Sequence, residues 1–318
     1  MRTSNFRLPL ALLGATVAVA VLAGCSDDAD GSANASSEGG TGTPKVASVP
    51  KLTSVTDKSL PIDGYLMSDD QLDKMQQAEF TLRERCMERF GIAYRVPAAE
   101  QAFHPKSRTQ FRYGVTDADA VATHGYKPVG SEKTARRTKP QELSRTANMV
   151  LTGTDDPNVK PGSTAAKGGQ DYQGKKVPAG GCIGEARAKL GASGEQSYGG
   201  DATATKVNTD SWAKSYNDAR VRAVFAKWSA CMKKQGYSYA DPMKAGDDPQ
   251  WQKAAVATAK ERRVASADVA CKVKYNVVGT WYTVEVAYQN QMIEQDAQAL
   301  AEAKKAKEKQ LKLMAEVS

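Results

Sequence analysis

Cys86-Met87-Glu88-Arg89-Phe90-Gly91-Ile92-Ala93-Tyr94 and Cys231-Met232-Lys233-Lys234-Gln235-Gly236-Tyr237-Ser238-Tyr239 are the two stretches on which the fold turns. Both read Cys-Met, three residues, Gly, two residues, Tyr. This is one device used twice: a Cys in the last turns of an amphipathic helix, a Gly able to adopt the left-handed backbone that closes a helix, then a short extended exit. Working back from the first copy, a helix starts at Ser68, with Gln71 three residues on completing a capping box. Its apolar stripe is Leu72, Met75, Ala78, Leu82, Cys86 and Phe90. Working back from the second, a helix starts near Asp210 and turns Val221, Val224, Phe225, Trp228, Cys231 and Met232 inward. Both thiols therefore face a core.

The redox state of those thiols depends on where the chain resides, and its first 25 residues address that. Arg2 and Arg7 precede an apolar run from Leu8 to Val21, interrupted by Pro9 and Gly14. The run is too short for a stable membrane span and suits the apolar region of an export signal. It ends in Leu22-Ala23-Gly24-Cys25, which resembles the lipobox of bacterial lipoproteins. The resemblance implies cleavage after Gly24, a diacylglycerol on the Cys25 thiol, and residence on the outer face of the cytoplasmic membrane. Ser26 to Pro44 holds no large apolar residue and reads as a solvated tether. Extended to Ser59, that tether has a root-mean-square reach of about 30 Å. The expected organisation is a signal peptide over residues 1–24, a lipidated N-terminus and tether over 25–59, a loop-rich helical half over 60–200, and a second helical half over 201–318.

Outside the cell, an even number of cysteines beyond Cys25 predicts two disulfides among Cys86, Cys182, Cys231 and Cys271. Three connectivities are open to four thiols. Each Cys-Met helix is followed by one further Cys, so the simplest arrangement is itself duplicated: Cys86 with Cys182 and Cys231 with Cys271. For the second pair, Asp248 and Pro249 open a helix with the stripe Val264, Ala267, Cys271, Tyr275 and Val278. Each bond should stabilise the fold by about 3–4 kcal/mol. No Cys-x-x-Cys exists and neither His104 nor His124 neighbours a Cys in sequence, so the thiols read as staples rather than as redox or nucleophilic groups.

Between Pro97 and Gly181 helical periodicity fades into Lys, Gly, Thr, Asp and Pro, leaving short helices over Asp117 to His124 and Ser144 to Leu151. Val177-Pro178-Ala179-Gly180-Gly181-Cys182-Ile183-Gly184-Glu185-Ala186 follows, where the Gly pair allows close backbone approach beside the disulfide before a helix to Leu190. A long helix from Gly279 carries Trp281, Val284, Tyr288 and Met292 and fades after Leu300. The fold class is therefore mainly α: a disulfide-stapled helical bundle with long irregular loops and a long C-terminal helix. The Gly-Gly-Cys-x-Gly-Glu-Ala stretch, the Cys-Met segment at Cys231, Ala267-Asp268-Val269-Ala270-Cys271 and the Trp281 to Leu300 helix together resemble a family of uncharacterised lipoproteins and secreted proteins of streptomycete-type actinobacteria. The resemblance spans about Tyr65 to Leu300 and implies location and disulfides, with no activity to carry over.

The formal net charge is +8. Without the two leader arginines and the four acids of the tether, Lys45 to Ser318 carries 42 basic against 32 acidic side chains, a net +10. An exported basic body is drawn to anionic lipid and wall polymers, and nucleic acid is not an expected partner. Lys304, Lys305, Lys307, Lys309 and Lys312 beside Leu311, Leu313 and Met314 would suit a membrane surface, but Glu302, Glu308 and Glu316 break the charge and favour a solvated helix end. Two histidines and oxidised thiols make a poor metal set, and no glycine-rich phosphate loop is present, so no cofactor is expected. Ser211-Trp212-Ala213-Lys214 matches the Ser-x-x-Lys of penicillin-recognising enzymes, yet Ser215-Tyr216-Asn217 follows at once and no Lys-Thr-Gly exists. The expected function is a non-enzymatic binding or accessory role in the envelope. Its expected partners are the bilayer through Cys25 and a membrane transporter, a wall polymer or a small ligand. An envelope hydrolase using Ser211 and Lys214 or unrecognised carboxylates, and a purely structural spacer, are the alternatives.

Overall fold

Ser68 accepts a hydrogen bond from the Gln71 amide at 3.2 Å while the Gln71 side chain accepts from the Ser68 amide at 3.0 Å, so helix α1 (Asp69–Arg89) starts at its capping box. The computed structural model describes residues 42–96, 105–130, 141–192 and 198–317. Residues 1–24, expected as a signal peptide, Cys25, the part of the expected tether up to residue 41, and His104 lie outside the described residues. After α1 come α2 (Ala118–His124), α3 (Arg145–Thr152), a two-residue hairpin of β1 (Asp171–Tyr172) and β2 (Lys175–Lys176), and α4 (Gly181–Lys189). Then follow α5 (Ala202–Asn217), α6 (Ala219–Lys234), α7 (Pro242–Gly246), α8 (Ala259–Lys274), α9 (Val277–Gln295) and α10 (Ala297–Ala315).

The repeated Cys-Met device closes the same way in both copies. Ile92 N–H donates to the Met87 carbonyl at 3.1 Å and Tyr237 N–H to the Met232 carbonyl at 3.0 Å, with Gly91 and Gly236 at φ +71° and +87°. This is the six-to-one bond of a helix ending through a left-handed residue. Cys86 pairs with Cys182 and Cys231 with Cys271, with Cα atoms 5.6 and 5.9 Å apart. The first bond sits in a core of Met87, Phe90, Val150, Leu151 and Val177. The second borders the main core of Trp228, Phe225, Tyr113, Val264 and Trp281.

Several boundaries differ from expectation for local reasons. Leu72 stays 36% exposed, and the buried stripe of α1 begins at Met75. The helix expected from near Asp210 is two: Asp218 ends α5 with an extended backbone and caps α6 by accepting from Arg220 N at 2.9 Å. Asp248 and Pro249 open only a 3-10 turn, Pro249–Lys253, and α8 begins after Thr258, whose hydroxyl accepts from Glu261 N at 3.1 Å. The long C-terminal helix breaks at Asp296 into α9 and α10, and α10 continues to Ala315 rather than fading after Leu300.

Residues 42–59, expected as the last part of a tether, lie among the described residues and pack on the body. Residues 42–55 lie as an irregular strap along α9, with Gly42 O accepting from Gln291 at one end and Pro50 O and Leu52 N bonded to Asn276 at the other. Val46 and Leu52 pack against the main core and Val55 is buried within it. Nor do residues 60–200 and 201–318 form separate halves, because Gly39–Ser318 is one compact unit. Leu311 and Met314 of α10 join Met75, Leu82, Ala186 and Leu190 in a single cluster.

Candidate functional site

Residues drawn from 56–73 and 105–108, together with Lys307, line a cleft of about 880 Å³ in which Arg108 and Lys307 are two of the four cations. These two are committed to shaping it. Arg108 donates from Nε to Asp63 Oδ1 at 2.7 Å and from Nη2 to the Met67 carbonyl at 2.9 Å. Lys307 reaches the carbonyls of Leu66 at 2.8 Å and of Asp63 and Gly64 at 3.2 Å. These bonds satisfy the carbonyls of the 3-10 turn Pro61–Gly64, which otherwise would have no partner at the end of so short an element. Burial pulls the Lys307 pKa down, against the opposing charge of Asp63. The Thr109 hydroxyl lies 2.7 Å from Val55 O and 2.8 Å from Lys58 O, tying the second wall to the first.

The rim is rich in carboxylates: Asp57, Asp69, Asp70 and Asp73, with Lys58 and Lys106 among them. Asp57 pairs with Lys58 at 3.4 Å and Asp70 with Lys74 at 3.2 Å, all on the exposed surface where such pairs contribute little. The hydroxyls are occupied locally, Ser68 as the cap of α1 and Ser107 with Thr109 at 3.0 Å. Chemically the cleft can hold a polar ligand through rim carboxylates and lysines. Among the described residues, no group of three or more His, Cys, Asp or Glu side chains is arranged to hold a metal ion.

The residues singled out from sequence go elsewhere. The four cysteines form the two staples, away from this cleft. Ser211 is fully buried, its Oγ 3.3 Å from Glu285 and 3.1 Å from Gln289, whereas Lys214 is exposed, so the Ser-x-x-Lys pair makes no accessible nucleophilic site. His124 ends α2. Of the C-terminal lysines, Lys307 reaches the cleft, and Leu311 and Met314 are spent on the core rather than offered to a membrane.

Three interior ion pairs lie outside the site residues singled out from sequence, and of these only Asp268–Lys272 has a local, i,i+4 spacing. Arg112 donates to Glu285, which also accepts from the Tyr113 phenol at 2.9 Å. Lys127 meets Glu261 at 2.9 Å, and Lys272 meets Asp268 at 3.0 Å while donating to the Val115 carbonyl at 2.9 Å. Burial holds Asp268 above the usual carboxylate range despite Lys272, and burial beside Glu285 holds Tyr113 well above the usual phenol range, so the phenol remains a donor. The Arg112–Glu285 and Lys127–Glu261 pairs tie the segment 105–130 to α9 and α8, whereas Asp268–Lys272 lies within α8 and reaches that segment through the Lys272 bond to Val115 O. That Glu285 follows Trp281 by four residues on the inward stripe is the one clue to the Arg112–Glu285 pair available beforehand.

No protein-family model, curated protein or solved structure matches the chain.

Proposed function

We propose that this chain is a membrane-tethered extracytoplasmic lipoprotein, anchored through Cys25 on the outer face of the cytoplasmic membrane. Its stapled body serves as a non-enzymatic binding or accessory module for another envelope component, of which a membrane transporter, a wall polymer and a small ligand are the classes considered. The observation that carries the reading is the pairing of all four cysteines beyond Cys25 into two disulfides, bonds that persist in oxidising compartments. The lipobox-like Leu22-Ala23-Gly24-Cys25 supplies the export and the anchor.

The non-enzymatic part is supported by how the interior charges are used. Glu285, Glu261 and Asp268 each face a cation of their own, and in the polar cleft Arg108 is bound to Asp63 and to the Met67 carbonyl. A photo-crosslinker placed at Gln71, on the cleft wall, tests the binding role in membranes of the cells that make the protein. The reading expects one defined protein, glycan or small-molecule adduct that disappears in Asp69→Lys/Asp73→Lys. A cleft that yields no adduct under any condition contradicts it.

A further inference from the structure

We infer that the strap over residues 42–55 and the cleft at its root form the face of the body that rests on the anionic bilayer, with Lys45 and Lys214 against lipid phosphates. The inference builds on the lipoprotein reading and adds an orientation to it. Its first support is where the described chain begins. Gly42 lies 17 residues after Cys25 and is held on α9 by Gln291. Covalent geometry limits 17 residues to a span of at most about 60 Å, and the strap is the first part of the described body that the chain from Cys25 reaches.

The second support is charge. The strap up to Thr56 contains Lys45 and Lys51 and no Asp or Glu. At its root a cleft of about 730 Å³ is lined by Lys45, Lys214 and Arg220 against a single carboxylate, Asp218. Asp218 is 2% exposed at its side chain and already bound by Arg220 at 2.7 Å and by the Tyr288 phenol at 3.1 Å. Arg220 also donates to the Pro44 carbonyl at 3.0 Å, so the Asp218–Arg220 pair fixes the strap while neutralising itself. Lys45 and Lys214 are both exposed beside it. What the cleft presents outward is therefore two ammonium groups and the strap backbone. The third support is the strap's own outer surface, where Val49 stands 42% exposed two residues before the exposed Lys51, an apolar residue close in sequence to a cation as interfacial contacts favour. The other cleft mixes five aspartates with four cations and carries no such positive excess.

The test uses the full mature protein extracted from membranes and reconstituted into vesicles of phosphatidylcholine alone or with phosphatidylglycerol. Acetylation rates at Lys45 and Lys214 and hydrogen exchange over residues 45–52 are read on both. A lysine at an anionic surface gains about fivefold in partitioning, the equivalent of about 1 kcal/mol. The expected result is slowing of at least about fivefold at both lysines on the anionic vesicles only, with protection of the strap that is lost in Lys45→Glu/Lys214→Glu. Equal rates on the two vesicle types overturn the inference. Slowing by soluble polyphosphate without slowing by vesicles also overturns it and gives the face to a wall polymer. Mass spectrometry of the N-terminal peptide on the same sample reports separately on the anchor: an unacylated Cys25 sinks the lipoprotein reading, while the lysine comparison still decides the docking face.

Discussion

Arg112 donates from Nε to both carboxylate oxygens of Glu285, at 2.8 and 3.0 Å, across 173 residues of sequence. Glu285 has no exposed surface and Arg112 very little. Burial works against the Arg112 charge, and the hydrogen bond and charge of Glu285 outweigh it, leaving the guanidinium pKa raised. This pair and Lys127–Glu261, with the Lys272 bond to the Val115 carbonyl, add polar ties to a segment that also packs Val115 and Val121 on Ala265 and Val269 of α8.

Removing one member of such a pair leaves an uncompensated charge inside. Glu285→Ala should lower the unfolding free energy by about 3–5 kcal/mol, read from urea denaturation. Arg112→Met/Glu285→Leu should recover most of that loss, since the desolvation of both charges is then relieved. A double variant no more stable than Glu285→Ala would show that the pair's value lies in its hydrogen bonds rather than in mutual neutralisation.

Gly181 has φ +65°, and a Cβ there would overlap Gly153 N and Leu151 O, which are backbone atoms that cannot rotate away. Gly181→Ala should cost about 3 kcal/mol or more. Gly91, at φ +71° with open space around it, should lose only about 1–2 kcal/mol on the same change, which is the strain of the backbone alone. Thermal unfolding of the two variants side by side separates crowding from backbone strain.

Asp218 ties the root of the strap through Arg220, and the Arg220 hydrogen bonds, outweighing burial, hold its carboxyl below the usual range. A carboxyl whose pKa falls on folding stabilises the protein fully above the unfolded value near 3.9, and the contribution disappears as pH falls through the lower folded value. Asp218→Asn keeps a competent helix cap through its one remaining oxygen and loses the charge together with the Oδ2 acceptor of Arg220 and Tyr288. The wild-type protein should exceed it by about 1 kcal/mol at neutral pH, a modest figure because Arg220 is partly exposed. That margin should close in acid below pH about 4; a margin independent of pH would contradict the assignment.

What was legible in the sequence was local. The cap at Ser68, the short helices over Asp117 to His124 and Ser144 to Leu151, the glycine closures at Gly91 and Gly236, and the tight Gly180-Gly181 turn each depend on residues close together in sequence. The disulfide pairing was legible for a different reason, the repetition of one motif. Short polar breaks were harder: Asp218 and Thr258 split helices because their side chains cap the next one, yet each sits inside a pattern whose period continues across it. The long-range ion pairs and the Arg108 cleft were not legible. Arg112 and Glu285 lie 173 residues apart, and the cleft joins residues near 60, near 107 and Lys307, contacts fixed by the packing of α10 on α1 that no local spacing encodes.

The account rests on an acyl anchor at Cys25, and the most direct measurement is mass spectrometry of the N-terminal peptide from the membrane fraction, alongside Cys25→Ser. The account predicts a chain that begins at Cys25 and bears a diacylglyceryl group, and a serine variant that retains residues 1–24 unprocessed. An unmodified Cys25, or a serine variant that matures and sediments with membranes as the wild-type protein does, would contradict it.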